Sequence, residues 1–83
     1  MATPAGPVTL SPEQIQDLHR KLGTMRHDIN NNLSLVAASV ELMKFNPAAA
    51  ERLMGTLAEQ PGKIAEHMQA FSAELEKALG IVR

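Results

Sequence analysis

The sequence has 83 residues, a formal net charge of −1 and no cysteine, enough chain for one small domain. The absence of cysteine excludes disulfides, thiolate metal sites and thiol nucleophiles. The interspersed charges form no basic patch for nucleic acid or membranes. No secretory signal pattern or bilayer-spanning apolar stretch occurs, so we expect a cytoplasmic protein without nucleic-acid or membrane partners. A composition rich in Ala, Leu and Met, with few aromatic residues, favours helices.

The first predicted element is a long helix that follows a leader. Residues 1–10 contain two prolines and a glycine, which predicts a flexible leader. Ser11 is a suitable N-cap, Pro12 fits the first helical position, and Gln14 completes a capping box. Apolar residues then recur every three or four positions, as in a helix: Ile15, Leu18, Leu22, Met25, Ile29, Leu33, Val36, Val40 and Met43. The pattern predicts a helix at about 12–45.

The second predicted element is another long helix, at about 47–79. Asn46 is a candidate to cap it, with Pro47 in its first turn, and Gly80 is placed to end it. Pro61 lies inside it and cannot donate a backbone hydrogen bond, so we expect a kink or short break near 61. The apolar residues again have helical spacing: Leu53, Leu57, Ile64, Met68, Phe71, Leu75 and Leu79.

The short connection between the two helices predicts an all-α fold. Helices joined this closely lie antiparallel, so residues 11–83 should form a single two-helix hairpin. Such a hairpin covers only part of each apolar stripe, and a core of this size is marginal alone. We therefore expect two hairpins to pair into a four-helix bundle, which makes the protein a homodimer.

A polar cluster interrupts the first helix: Met25-Arg26-His27-Asp28-Ile29-Asn30-Asn31-Asn32-Leu33. Asp and Asn are poor residues for a helix interior, which indicates a role other than helix stability. The heptad positions place His27 on the outer surface, within reach of a large partner. Because a neutral imidazole is a competent nucleophile toward phosphorus, we predict that His27 accepts and passes on a phosphoryl group.

The residues that follow His27 have candidate roles in that chemistry. Asp28 is a candidate to hold a ring nitrogen or take its proton, directly or through water, although adjacent helical residues do not face each other. Asn31 lies four residues on and on the same face. It is a candidate to orient a water molecule or an incoming aspartyl phosphate, and Asn30 is a second candidate for that role.

Asn32 has a different predicted position, because it continues a core line of the heptad and should point into the bundle. Folding of the hairpin brings Pro61 near the level of Asn32. Since Pro61 leaves the carbonyl of Leu57 without its helical donor, we expect the Asn32 amide to donate to that carbonyl.

The segment His27-Asp28-Ile29-Asn30-Asn31, inside a helix hairpin, resembles the H-box of sensor histidine kinases. It is most similar to the His-Asp-x-Asn-Asn subgroup of dimerisation and histidine-phosphotransfer (DHp, or HisKA-like) domains, over residues 11–80. The resemblance implies a role in two-component signalling, with His27 as phosphoacceptor, Asp28 assisting transfer and Asn31 supporting dephosphorylation. It also implies a partner, the receiver domain of a response regulator, whose aspartate exchanges the phosphoryl group with His27.

The sequence departs from sensor kinases because its 83 residues contain no ATP-binding domain and no glycine-rich phosphate loop. We therefore expect no autonomous ATP-dependent kinase activity. A separate histidine kinase, an ATP-binding domain or a phosphorylated receiver would have to load His27. We expect no cofactor in this chain, and Mg²⁺ only on a partner receiver or kinase.

The roles assigned to His27 and the asparagines have simpler alternatives. Whether the protein is an enzyme is therefore open. A catalytically silent module would use the same surface to dock or sequester a response regulator or histidine kinase. His27 would then be a surface histidine without chemistry, and the asparagines would form a polar seam that sets the register of the bundle. His19 is interpreted as solvated and His67 as a boundary residue. No two histidines have the i, i+4 spacing of a helical zinc site.

Overall fold

The computed structural model describes residue 4 and residues 6–81, which are all-helical, with two long helices and no strand. Residues 4 and 6–10 of the predicted leader form neither helix nor strand, and the rest of that leader lies outside the described residues. The elements in chain order are α1 (Pro12–Phe45), a 3-10 turn (Pro47–Ala49) and α2 (Ala50–Leu79). The predicted bounds of α1 agree with the structure, whereas α2 begins three residues later than predicted.

The start of α1 is fixed by reciprocal hydrogen bonds between Ser11 and Gln14. The backbone N–H of Gln14 donates to the Ser11 hydroxyl at 3.1 Å, and the backbone N–H of Ser11 donates to Oε1 of Gln14 at 2.8 Å. Pro12 occupies the first turn, where its missing N–H leaves no helical bond unmade. The predicted capping box is confirmed.

The connection between the helices is built by backbone groups of Asn46. Its N–H donates to the carbonyl of Leu42 at 2.7 Å, and its carbonyl accepts from the N–H of Ala49 at 3.0 Å. Its side chain makes no capping hydrogen bond, so the prediction that Asn46 caps α2 is wrong. Pro47, with its fixed φ, starts a 3-10 turn instead, and the α-helical pattern is established only at Ala50.

The second helix continues without a break through Pro61 and ends at Gly80. Pro61 is exposed, and the short break that the sequence predicts there does not occur. Gly80 has a left-handed backbone with φ of 68°, a conformation that costs glycine little. The N–H groups of Gly80 and Ile81 donate to the carbonyls of Lys77 and Glu76 at 3.3 and 2.9 Å. This Schellman arrangement confirms Gly80 as the C-terminal cap.

The two helices meet along a line of polar side chains, which we call the polar seam. The ammonium of Lys21 donates to Oε2 of Glu74 at 2.9 Å, and the Asn32 amide donates to Oε1 of Gln60 at 2.9 Å. Contacts between early α1 and late α2 require an antiparallel hairpin. On α2, the seam follows a heptad spacing, which keeps residues on one helix face: Gln60, His67 and Glu74.

The centre of the polar seam is the pair formed by half-buried Asn32 and buried Gln60. Gln60 is 1% exposed, and its amide also donates to the carbonyl of Thr56 at 2.9 Å. The predicted inward position of Asn32 is confirmed, but its predicted partner, the Leu57 carbonyl, is wrong. Gln60 lies on the seam and offers a side-chain oxygen directly opposite the Asn32 amide. Oδ1 of Asn32 is buried without a hydrogen-bond partner in the described structure.

The hairpin is one helix layer thick, with Cα extents of 57 × 25 × 13 Å. Within the described residues, the only buried apolar side chain is Leu53, which is 8% exposed. The apolar stripes therefore do not form a core between the two helices, as a stable globular domain would require. They leave instead an apolar groove on one face of the hairpin, lined by Leu33, Val36, Leu57, Gln60, Pro61, Ile64, Ala65 and Met68.

We predict that Asn32→Leu lowers the melting temperature, measured by circular dichroism at one protein concentration. The substitution leaves buried Gln60 without its donor, a loss of about 1–3 kcal/mol, or roughly 5 °C or more in Tm for a chain of this size. Gln60→Leu should have the same effect. The double variant should recover much of the loss, because an apolar pair leaves no unpaired group. Single variants as stable as the parent would contradict this role for the seam.

Candidate functional site

His27 lies on the exposed side of α1, away from the apolar groove. Val36, which lines that groove, is nine residues further along the helix and therefore about 180° around its axis. The predicted outward position of His27 is confirmed. A protein that covered the apolar groove would leave the imidazole open to a second partner.

Asn31 is brought together with His27 by one turn of helix. Both side chains are exposed, and Nδ2 of Asn31 lies 3.4 Å from Nε2 of His27. An amide nitrogen can only donate, so the contact is a hydrogen bond in the tautomer whose Nε2 is unprotonated. The imidazole proton then belongs on Nδ1, and Nε2 carries the lone pair that a nucleophile needs. Asn30 is also exposed on this part of the helix.

The carboxylate of Asp28 is directed across the hairpin, to α2. Its Oδ2 lies 3.9 Å from Nδ1 of His67, and among the described residues it makes no hydrogen bond or ion pair with His27. Successive helical residues diverge by about 100°, which accounts for the separation of Asp28 from its neighbour. The sequence predicts a boundary position for His67, and the partial burial of His67 agrees with it. The contact of His67 with Asp28 does not follow from the sequence.

A polar groove lies beside the seam between the two helices. It is lined by Lys21, Asp28, His67 and Glu74, with Arg20, Thr24, Met25, Ala70 and Phe71. Arg20 is seven residues before His27, so the two lie within about 20° of each other around α1. His27 itself does not line the polar groove, although the next residue, Asp28, does.

A cluster of charges at one end of the polar groove is centred on Lys21. Its ammonium lies 2.9 Å from Oδ2 of Asp17 and 2.9 Å from Oε2 of Glu74, and Arg20 pairs with Asp17 at 2.6 Å. The hydrogen bond from Lys21, followed by that from Arg20, lowers the pKa of Asp17 below its ordinary 3.8. Lys21 likewise lowers the pKa of Glu74 below 4.5. The Asp17 and Glu74 carboxylates raise the pKa of Lys21 above 10.5.

The described residues contain no group of three His, Cys, Asp or Glu side chains arranged to hold a metal ion. Over residue 4 and residues 6–81, neither helix is long and apolar enough to cross a membrane. No family model, curated protein or solved structure matches this chain.

We predict that the Lys21 cluster makes stability fall on acidification. Because the pKa values of Asp17 and Glu74 are lowered in the folded state, their contribution is present above 3.8 and 4.5 and is lost as pH falls through the lower folded values. Lys21→Met should lower Tm at neutral pH and flatten the decline between about pH 5 and pH 2. The raised pKa of Lys21 adds stability that is lost only above pH 10.5.

Lys63→Met is the matched control for this experiment. Lys63 pairs with Glu59 at 3.7 Å within α2, where both side chains are exposed, so it makes no bridge between the helices. Its removal should leave the acid decline of Tm as in the parent. Equal slopes for the parent and Lys21→Met would rule out the Lys21 cluster as the origin of the decline.

Proposed function

We propose that the protein is a histidine phosphotransfer and dimerisation module of two-component signalling, similar to a DHp domain, that acts in the cytoplasm. The observation that supports this most directly is the pairing of exposed His27 with Asn31, whose amide lies 3.4 Å from Nε2. The contact occupies the single lone pair of Nε2, so the Asn31 side chain has to turn away from the nitrogen before His27 attacks the phosphorus of a partner. The partner that fits is a receiver domain with a phosphorylated aspartate.

In the proposed reaction, Nε2 of His27 attacks the phosphorus of the aspartyl phosphate. An N–P bond forms while the P–O bond to the aspartyl carboxyl group breaks, and the receiver carboxylate leaves with the electron pair. The proton on Nδ1 stays on the ring or passes to water, so atoms and charge balance. Mg²⁺ bound by the receiver would neutralise the transferring phosphoryl oxygens. The reverse sequence of bonds returns the group to a receiver.

The Asn31 amide has a defined role in this proposal. Before transfer, its N–H favours the tautomer in which Nε2 is unprotonated. When phosphorus bonds to Nε2, the same N–H lies beside the phosphoryl oxygens and can donate to one of them. It can equally orient a water molecule for hydrolysis of an aspartyl phosphate. Asn30 is a second amide on the same exposed surface.

We also propose that a second copy of the chain covers the apolar groove, to give a four-helix bundle. The accessible surface is 6293 Å², whereas a compact 9.0 kDa protein exposes about 4,900 Å². The excess, about 1,400 Å², is more than the roughly 800 Å² that each partner contributes to a standard interface. No charged side chain lines this groove, so the same face can meet itself about a two-fold axis without repulsion.

The test of phosphotransfer uses receiver domains labelled with radioactive acetyl phosphate and Mg²⁺. The parent should acquire acid-labile label, and His27→Ala should lose at least about 95% of it because the nucleophile is absent. His19→Ala is the matched control, since His19 is also an exposed histidine of α1, and it should be labelled like the parent. Asn31→Ala should still bind receivers but exchange the label more slowly.

Two results would contradict phosphotransfer. Label that persists in His27→Ala would place the acceptor elsewhere. Receiver binding without any labelling of the parent would indicate the alternative, a silent module that docks or sequesters its partner. The contact of Asp28 with His67, and not with His27, is the observation that favours this alternative.

The test of dimerisation is the molar mass in solution, measured by light scattering or sedimentation. The parent should have twice the monomer mass at micromolar concentration, and Leu33→Glu should be monomeric because a charge would be buried in the apolar groove. Leu42→Glu is the matched control. Leu33 and Leu42 are 51% and 54% exposed, and nine residues place them on opposite sides of α1. A monomeric parent, or a larger effect at Leu42, would overturn the proposed interface.

A further inference from the structure

The contact between Asp28 and His67 joins a carboxylate to an imidazole, a group that can be either cationic or neutral. Nδ1 of His67 lies 3.9 Å from Oδ2 of Asp28, and both side chains are partly exposed. A protonated imidazole would form an ion pair with the carboxylate across the hairpin, whereas a neutral imidazole would leave the carboxylate with little attraction. Asp28 is also the residue adjacent to His27 in the sequence.

We propose that His67 is a positioning residue that controls whether the Asp28 carboxylate is available to the His27 site. This inference rests on the proposed phosphotransfer function. When His67 is protonated, the ion pair holds Asp28 on the α2 side of α1. When His67 is neutral, the carboxylate is free to change rotamer toward the exposed surface, where it can accept the proton of the phosphorylated imidazole, directly or through water.

Most of the other charged groups near Asp28 and His67 are paired elsewhere. On α1, the other charges in the polar groove are Lys21 and Arg20, and both are engaged by Asp17. On α2, Glu74 lines the same groove but is bonded to Lys21. Lys63 and Glu66 are exposed neighbours of His67 along α2, and Lys63 is paired with Glu59. Among the described residues, His67 is the basic side chain that lies within 4.0 Å of an Asp28 carboxylate oxygen.

The size of the effect follows from the exposure of the pair. Ion pairs that are partly open to solvent change an equilibrium by roughly twofold to fivefold, and salt weakens them. Protonation of His67 should therefore bias the position of Asp28 without abolishing transfer. Free imidazole changes charge between about pH 5 and pH 8, so the experiments compare pH 5.5 with pH 8.

The first experiment measures the contact without any phosphotransfer. Thermal unfolding of Asp28→Asn, His67→Gln and the double variant gives a double-mutant cycle, and the two single effects should be non-additive by about 2 °C at pH 5.5 but additive at pH 8. The control cycle pairs Asp28→Asn with His19→Gln, which should be additive at both pH values. Additivity of the Asp28 and His67 variants at pH 5.5 would overturn the contact.

The second experiment measures the rate of phosphoryl transfer to His27. The ratio of the parent rate to the His67→Gln rate cancels the titration of His27 itself, and it should fall roughly twofold to fivefold from pH 8 to pH 5.5. His67→Lys, with a permanent charge, should be slowed at both pH values. A constant ratio, or full activity of His67→Lys, would overturn the inference. Absence of transfer in every variant would instead overturn the proposed function, while the stability cycle still decides the contact.

Discussion

The hydrogen bond between Asn32 and Gln60 is the interaction on which the rest of the hairpin depends. Gln60 is almost completely buried, so a different alignment of the helices would deprive its Oε1 of the Asn32 donor. Apolar contacts lack this selectivity, because one leucine packs against another in many registers. The pair therefore aligns α1 with α2, and this alignment sets which residues of the two helices lie opposite each other on the polar groove.

The polar seam also explains why two different surfaces exist on so small a protein. Because Lys21, Asn32, Gln60 and Glu74 occupy part of the contact between the helices, apolar residues such as Leu33 and Met68 are left on one face of the hairpin, in the apolar groove. His27 lies on the opposite side. The proposed dimer interface and the proposed reaction site are thereby separated by the thickness of a single helix, about 10–12 Å.

The sequence was sufficient for the helices and for the outward position of His27, because capping residues and apolar periodicity are local signals. It was insufficient for the partners of the polar side chains. For Asn32, the predicted partner lies at the correct height along α2, but it is the backbone carbonyl of Leu57 and not the side chain of Gln60. No local sequence signal distinguishes these two acceptors. The heptad spacing of Gln60, His67 and Glu74 indicates that these polar residues share one face of α2, and the apolar residues alone do not reveal it. Asp28 could not be assigned, because its direction depends on the packing of α2.

The pairwise character of the polar seam has an evolutionary consequence. A change at position 32 is tolerated only with a matching change at position 60, whereas positions along the apolar groove accept many apolar residues. Related chains should therefore keep little overall identity but show correlated substitutions at 32 with 60, and at 21 with 74. Such paired changes, spaced along a helix hairpin with a histidine at 27, would identify distant relatives that overall similarity does not reveal.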